Sequence, residues 1–501
     1  MRVRRSMRRQ PRSRCSFWPS STSPSRAPRR SCTRSSEDAM KPLWPLKPLA
    51  VMATFGLLIT LPQYVPQWYN WRVYEWRSAL SLFDFQPRMK RESPVEEELA
   101  RLRPPASEPG QDPLKIADPH GAMESFYASL LRTERREPGA VTRILHYGDS
   151  PVTADLITAD VRALLQERFG DAGHGAYLIA KPWAWYAHRG VDAAAEGWKA
   201  DPATLRGQKD GWYGLGGVSF TGSAGAWSRL RLKRPGHTQL VLSYVAQPGG
   251  GELRILAGDI EAGVLDTAAA EVMAARQAFD IPPETQELEL RVTRGQVRLF
   301  HVELFKPNPG IVYDSIGLNG TWAGVLAWHM NASHWAEQLR QARPNLVIIH
   351  YGTNESGYRN YIDSTYPRDV KEIISRVRSA VPEASILIMS PMDRGVRESG
   401  GAIGTMPSIP HLVAVQAKLA AENGCAFFNT FEAMGGPGTM GKWYMAEPRL
   451  VSADFIHPLP AGGRIVGTLL YNALMDGFNA YKLRLLRQTA AAGSQPGTVQ
   501  P

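Results

Sequence analysis

The run Leu346-Val347-Ile348-Ile349-His350 offers almost no polar side to water, so as a strand it must be covered on both faces. A second run, Arg143-Ile144-Leu145-His146-Tyr147, reads as a short buried strand that stops at Gly148. It is preceded by helical spacing at Phe126, Leu130 and Leu131, and followed by helical spacing at Leu156, Val161, Leu164 and Leu165 between Ala154 and Phe169. Farther on, the pattern predicts a helix from about Arg368 to Ala380, a strand over Ile386 to Met389, a helix in 411–422 and a last helix from Gly462 to about Leu483. Strands alternating with helices imply an α/β fold with a parallel sheet and chemistry at the carboxyl ends of its strands.

That alternation halts between about Gly197 and Pro307. Apolar periods there become short and alternating, at Val218 to Phe220, Trp227 to Leu232, Leu240 to Val245, Leu253 to Leu256, Leu288 to Val292 and Val297 to Phe305. Turn signals such as Pro248-Gly249-Gly250-Gly251 and Arg294-Gly295 separate them. An inserted all-β module, most simply a small jelly-roll-like sandwich, is the reading.

Charge is concentrated at one end. The chain has 501 residues and a formal charge of +11, but residues 1–40 hold eleven Arg against Glu37 and Asp38 and so supply +9, leaving +2 for the other 461. With so little excess charge on the folded part, a nucleic-acid partner is not expected. Residues 1–40 read as a disordered basic leader or as sequence ahead of a true start at Met40. Lys41 and Lys47 precede the apolar run Leu49 to Leu61, so 41–71 is expected to be a signal peptide or a membrane anchor that keeps the lysines cytoplasmic and exports the rest. A Pro-rich stalk over 72–120 and a disordered tail over 486–501 complete the accessory segments. Only Cys425 lies outside the leader, so no internal disulfide is expected, and the spacing of His and Cys gives no metal or cofactor site.

Three short strings carry the chemistry: Gly148-Asp149-Ser150, Gly352-Thr353-Asn354-Glu355 and Asp454-Phe455-Ile456-His457-Pro458. The first sets a serine at a strand-to-helix turn, the second a side-chain amide after another strand, and the third a histidine three residues beyond a carboxylate. A nucleophile, an oxyanion donor and a base with its orienting group are what acyl transfer requires. The endings His146-Tyr147-Gly148-Asp149-Ser150 and His350-Tyr351-Gly352-Thr353-Asn354 share a grammar, which predicts neighbouring strands that bring serine and asparagine to one rim.

These strings resemble the GDSL or SGNH hydrolase family, over about 121–190 and 310–485. The resemblance implies a flavodoxin-like three-layer fold, here interrupted by the β-module at 191–309. It implies Ser150 as nucleophile, His457 as general base and then acid, and Asp454 as the group that orients the imidazole. The oxyanion donors would be Ser150 N–H, the Asn354 amide and a backbone N–H from Asp314 to Thr321, with Gly320 chosen and Gly317 the competitor. Pro151 stands where the family has Leu or His, and Glu355 where it has Asp; both are expected to shape the pocket. A carbohydrate-binding-like insert at this point is similar to the peptidoglycan O-acetylesterase branch. The expected function is therefore a serine esterase acting on an O-acetylated envelope polysaccharide, anchored at the inner membrane. A lipase or thioesterase, a glycan O-acetyltransferase and a non-catalytic glycan binder are the alternatives. Trp183, Trp185 and Tyr186 are candidates for stacking on sugar faces. Oligomeric state is not indicated.

Overall fold

The computed structural model describes residues 114–204 and 210–493. The leader, the 41–71 segment and nearly all of the stalk thus lie outside the described residues. Among those described, no helix is long and apolar enough to cross a membrane.

Helix α1 (Glu124–Glu134) leads into β1 (Val141–Gly148), and the chain then turns through α2 (Ser150–Thr153) and α3 (Thr158–Phe169). One helix was expected across 154–169. Asp155 interrupts it with a φ of 52°, in the left-handed region, and α3 restarts three residues later.

The chain next leaves the α/β pattern for β2 (Gly173–Tyr177), β3 (Val191–Pro202), β4 (Val218–Leu232), β5 (Gln239–Ala246), β6 (Glu252–Ala257), β7 (Ile260–Asp266), β8 (Met273–Asp280), β9 (Glu287–Arg294) and β10 (Gln296–Phe305). These form one nine-stranded sheet with the path β7-β6-β9-β4-β10-β5-β8, with β2 paired to β10 and β3 to β4. Every ladder in it is antiparallel. The sheet folds over because its long strands serve two neighbours in turn. On one edge β4 pairs with β3 along 218–222 and 227–232, whereas on the other edge residues 220–223 pair with β10 and 227–231 with β9. The two ends of the path meet, as a side chain at Gly263 of β7 would strike the Phe279 ring of β8. Leu230, Leu242, Ile255, Leu290 and Leu299 fill the space enclosed. This is the all-β insert, although the sheet also takes in β2, ahead of the expected boundary at 191. Gly173-His174-Gly175-Ala176-Tyr177 lacks the apolar alternation by which a strand is recognised.

The α/β pattern resumes with β11 (Gly310–Gly317), α4 (Ala332–Ala342), β12 (Leu346–His350), α5 (Tyr366–Ala380) and β13 (Ser385–Met389). A small hairpin of β14 (Gly395–Arg397) and β15 (Ile403–Thr405), then α6 (Ser408–Glu422), β16 (Ala426–Phe428) and α7 (Pro460–Gly493), follow. The sheet order is β11-β1-β12-β13-β16, all parallel. By order of appearance that is 2-1-3-4-5, the flavodoxin-like doubly wound arrangement. Leu346 and Ile348 pack with α1, α3 and α7 on one face, and Val347 and Ile349 belong to the core on the other, with α4, α5 and α6. The absence of a polar face in β12 is thereby explained: alternate residues enter two different cores.

Candidate active site

In a 2-1-3-4-5 sheet the order reverses at the first strand, and a crevice opens at the carboxyl end of that strand. Here that strand is β1, and Ser150 begins the helix just past it. Gly148 lies level with Gly317 of β11 on one side and His350 of β12 on the other. The strand neighbours expected from the shared grammar are thus in contact, and the loops after all three converge. Pro151 fits because it occupies the first turn of α2, where no helical partner exists for a backbone N–H.

The third string arrives from the loop before α7. Ser150 Oγ lies 2.8 Å from His457 Nε2, and His457 Nδ1 lies 2.6 Å from Asp454 Oδ2. With Nδ1–H donated to the carboxylate, Nε2 accepts from the serine hydroxyl, the tautomer that a general base needs. Asp454 Oδ1 also accepts the backbone N–H groups of Ile456 at 2.9 Å and His457 at 3.1 Å, together with the Ser452 hydroxyl. Partial burial alone would raise this carboxyl, but the hydrogen bonds from Ser452, His457 and the two amides outweigh it and hold the group well below the ordinary carboxylate range. Phe455, at φ 60°, lets the chain close this turn. The side chains of His457 and Asp454 are 44% and 46% exposed, so the site opens widely to solvent.

The oxyanion candidates are close together. Asn354 opens the turn after β12, and its Nδ2 donates to Thr321 O at 2.7 Å, in the loop after β11. Gly320 lies in that loop at φ 65°, with no atom near its absent side chain. Gly317 differs. A Cβ there would sit 2.0 Å from Thr153 N, so its lack of a side chain serves the packing of α2 against β11.

Of the aromatic candidates, Trp185 is 70% exposed and Trp183 is partly buried against the core. Tyr186 is a correction: it is 3% exposed, its ring packs on Tyr177, and its hydroxyl accepts Leu178 N–H at 3.0 Å, so no sugar can stack on it. The segment carrying these residues is held beside the nucleophile by Asp155, which accepts Arg189 N–H at 2.9 Å as well as Arg162 and the Thr158 hydroxyl. Tyr358, four residues beyond Asn354, is 72% exposed and was not singled out from sequence, where one tyrosine in a polar turn gives no signal.

Two carboxyls lie buried beneath the rim. Asp149 has one oxygen without a partner, and burial pushes the group up to about 6 against a hydrogen bond from Thr353 and the nearby His457. Glu355, expected only to shape the pocket, is 2% exposed and is pushed up to about 8 by its burial. Among the described residues no group of three or more His, Cys, Asp or Glu side chains could hold a metal ion.

The model of the GDSL-like lipase/acylhydrolase family matches residues 289–465, a stretch that starts in β9 and holds Asn354, Asp454 and His457. The β-insert separates that stretch from Ser150. Among solved structures, a peptidoglycan O-acetylesterase superposes with a TM-score of 0.62 at 20% identity, covering 72% of this chain and 99% of its own. An acetyl xylan esterase aligns at TM-score 0.25 and 15% identity over 33% of this chain and 80% of its own. A family two carbohydrate esterase from Clostridium thermocellum aligns at 0.23 and 12%, over 55% and 96%. No curated protein matches the chain in sequence.

Proposed function

We propose that this chain, a member of the GDSL/SGNH hydrolase family, is a serine esterase that removes O-acetyl groups from a cell-envelope or extracellular polysaccharide of the peptidoglycan kind. The observation that carries the reading is the Ser150, His457 and Asp454 contact chain at the carboxyl end of β1, on a rim open enough for a polymer. Ser150 Oγ attacks the acetyl carbonyl carbon while its proton passes to His457 Nε2. The resulting oxyanion is held by Ser150 N–H, Gly320 N–H and the Asn354 amide. As the ester bond breaks, His457 returns the proton to the departing sugar oxygen, and water then releases acetate from Ser150 by the reverse sequence of proton transfers.

Trp185 and Tyr358 supply exposed aromatic surface for sugar rings on the two loops beside the nucleophile, and the antiparallel insert extends the surface a glycan strand can follow. Export and tethering through 41–71 belong to the same reading and rest on the sequence alone.

The test is acetate release from O-acetylated peptidoglycan, xylan and other acetylated polysaccharides, with Ser150→Ala as control. Release from a glycan that falls at least about a thousandfold in Ser150→Ala is expected. Turnover undiminished in that variant would remove Ser150 from the mechanism. Rates that climb steeply from acetyl to octanoyl esters would make the enzyme a lipid or thioester hydrolase, and acetyl transfer to a sugar acceptor exceeding hydrolysis would make it a transferase.

A further inference from the structure

Strands β11 and β12 are not neighbours, because β1 lies between them. Their loops therefore start about 10 Å apart, two strand spacings, and something must tie them together above Ser150 if donors from both are to meet one oxyanion. Two consecutive residues make that tie. Asn354 Nδ2 donates to Thr321 O at 2.7 Å, and Glu355 Oε1 accepts Ala323 N–H at 2.8 Å. The Glu355 carboxyl is buried, and its other oxygen has no partner. A buried carboxyl that meets backbone amides and no cation is costly to keep, and Ala323 N–H is its contact on the other loop, which points to a task there.

We propose that Glu355 is a positioning residue for the acyl-transfer reaction: through Ala323 N–H it fixes the loop carrying Gly320 against the turn carrying Asn354, and so sets the spacing of the oxyanion donors over Ser150. The proposal rests on the serine esterase reading for its kinetic consequence, but the clamp itself does not depend on it. The extra methylene relative to aspartate gives the side chain its reach from the turn to Ala323.

The groups facing this carboxyl are Asp149 at the end of β1, Tyr351 just past β12, Tyr361, and Tyr366 at the start of α5. None is a cation, so ionised Glu355 would add negative charge beneath the developing oxyanion.

The experiment compares Glu355→Gln, Glu355→Asp and Glu355→Ala in two ways. Steady-state turnover of p-nitrophenyl acetate should show kcat lowered about 10- to 100-fold in the Asp and Ala variants with KM within about twofold, since misplacing a donor affects the transition state alone. Glu355→Gln keeps an oxygen acceptor and should hold kcat within about threefold of the parent. It should also lose any decline in kcat above pH 8 that the parent shows. Deuterium uptake of the peptide spanning Ala323 should rise in Glu355→Ala and Glu355→Asp and stay at the parent level in Glu355→Gln. Uptake at Ala323 that does not change in either shortened variant overturns the clamp, whatever the enzyme hydrolyses. Equal kcat losses in the Gln and Ala variants, or a loss carried by KM, overturn the catalytic role. Absence of parent turnover with increased uptake would instead leave the clamp standing and remove the esterase reading.

Discussion

Asp454 holds its own turn together as well as facing the imidazole. One oxygen accepts His457 Nδ1–H, and the other accepts two backbone amides and the Ser452 hydroxyl. Asn at this position could keep the amide contacts through its oxygen but would turn an N–H toward Nδ1, favouring the tautomer in which Nε2 is protonated and unable to take the Ser150 proton. Asp454→Asn should therefore lower kcat by about 10³- to 10⁴-fold while its thermal midpoint stays near that of the parent. Turnover of p-nitrophenyl acetate and a melting curve measure both, and a loss below tenfold would mean that the carboxylate does not set the tautomer. The polar residues of this site were legible because each lies within a few residues of a chain landmark: a strand end, a glycine or a following proline. Glu355 was legible as a departure only, since the Ala323 amide it holds is 32 residues away.

At the scale of elements, β1, β12 and β13 were readable because burial on both faces leaves a short apolar run, whereas the parallel strands β11 and β16 were not singled out. What was not readable is the edge of the insert. Strands β3, β7 and β8 mix exposed and half-buried residues without strict alternation, and β2 is rich in glycine. The same logic separates the two glycines that competed as donors. Gly317 ends β11 under α2, so Gly317→Ala drives a methyl into the backbone at Thr153 and must push the helix that begins with Ser150. Gly320→Ala meets open space and costs only the strain of a left-handed φ, about 1–2 kcal/mol. The expected outcome is severe loss of both stability and esterase activity in Gly317→Ala, beside near-parental kcat in Gly320→Ala, which retains its N–H. Parallel denaturant melts and kinetics decide it, and a Gly317→Ala protein as active as the parent would show that α2 has room to move.

The two sheets of the molecule are joined by buried charge. Arg143 of β1 donates from Nε to Asp314 of β11 at 2.7 Å and from an Nη to Glu303 of β10 at 2.6 Å, while Arg276 of β8 also pairs with Glu303 and Ala176 N–H of β2 donates to Asp314. A sequence gives each of these as an ordinary strand residue, because Arg143 precedes the insertion, Glu303 and Arg276 lie within it and Asp314 follows it. Removing Arg143 leaves buried Glu303 with only Arg276 as a cation partner and buried Asp314 without its guanidinium, so Arg143→Met should cost about 3–5 kcal/mol of unfolding free energy. Replacing Arg143, Glu303 and Asp314 together by apolar residues of similar volume should recover most of that loss, as the desolvation cost disappears with the charges. The pH dependence follows from Glu303. Burial alone would raise its carboxyl, but Arg143, His301 and Arg276 outweigh burial and hold it at about 2. The unfolded chain titrates Glu near 4.3, so the native state binds fewer protons in between. This contribution is present in full above pH ~4.3 and is lost as pH falls toward 2. Urea unfolding between pH 6 and pH 2.5 should show a steeper acid loss in the parent than in Glu303→Gln. Parallel slopes for the two proteins would mean that the Arg143 cluster is not what carries acid sensitivity across the junction.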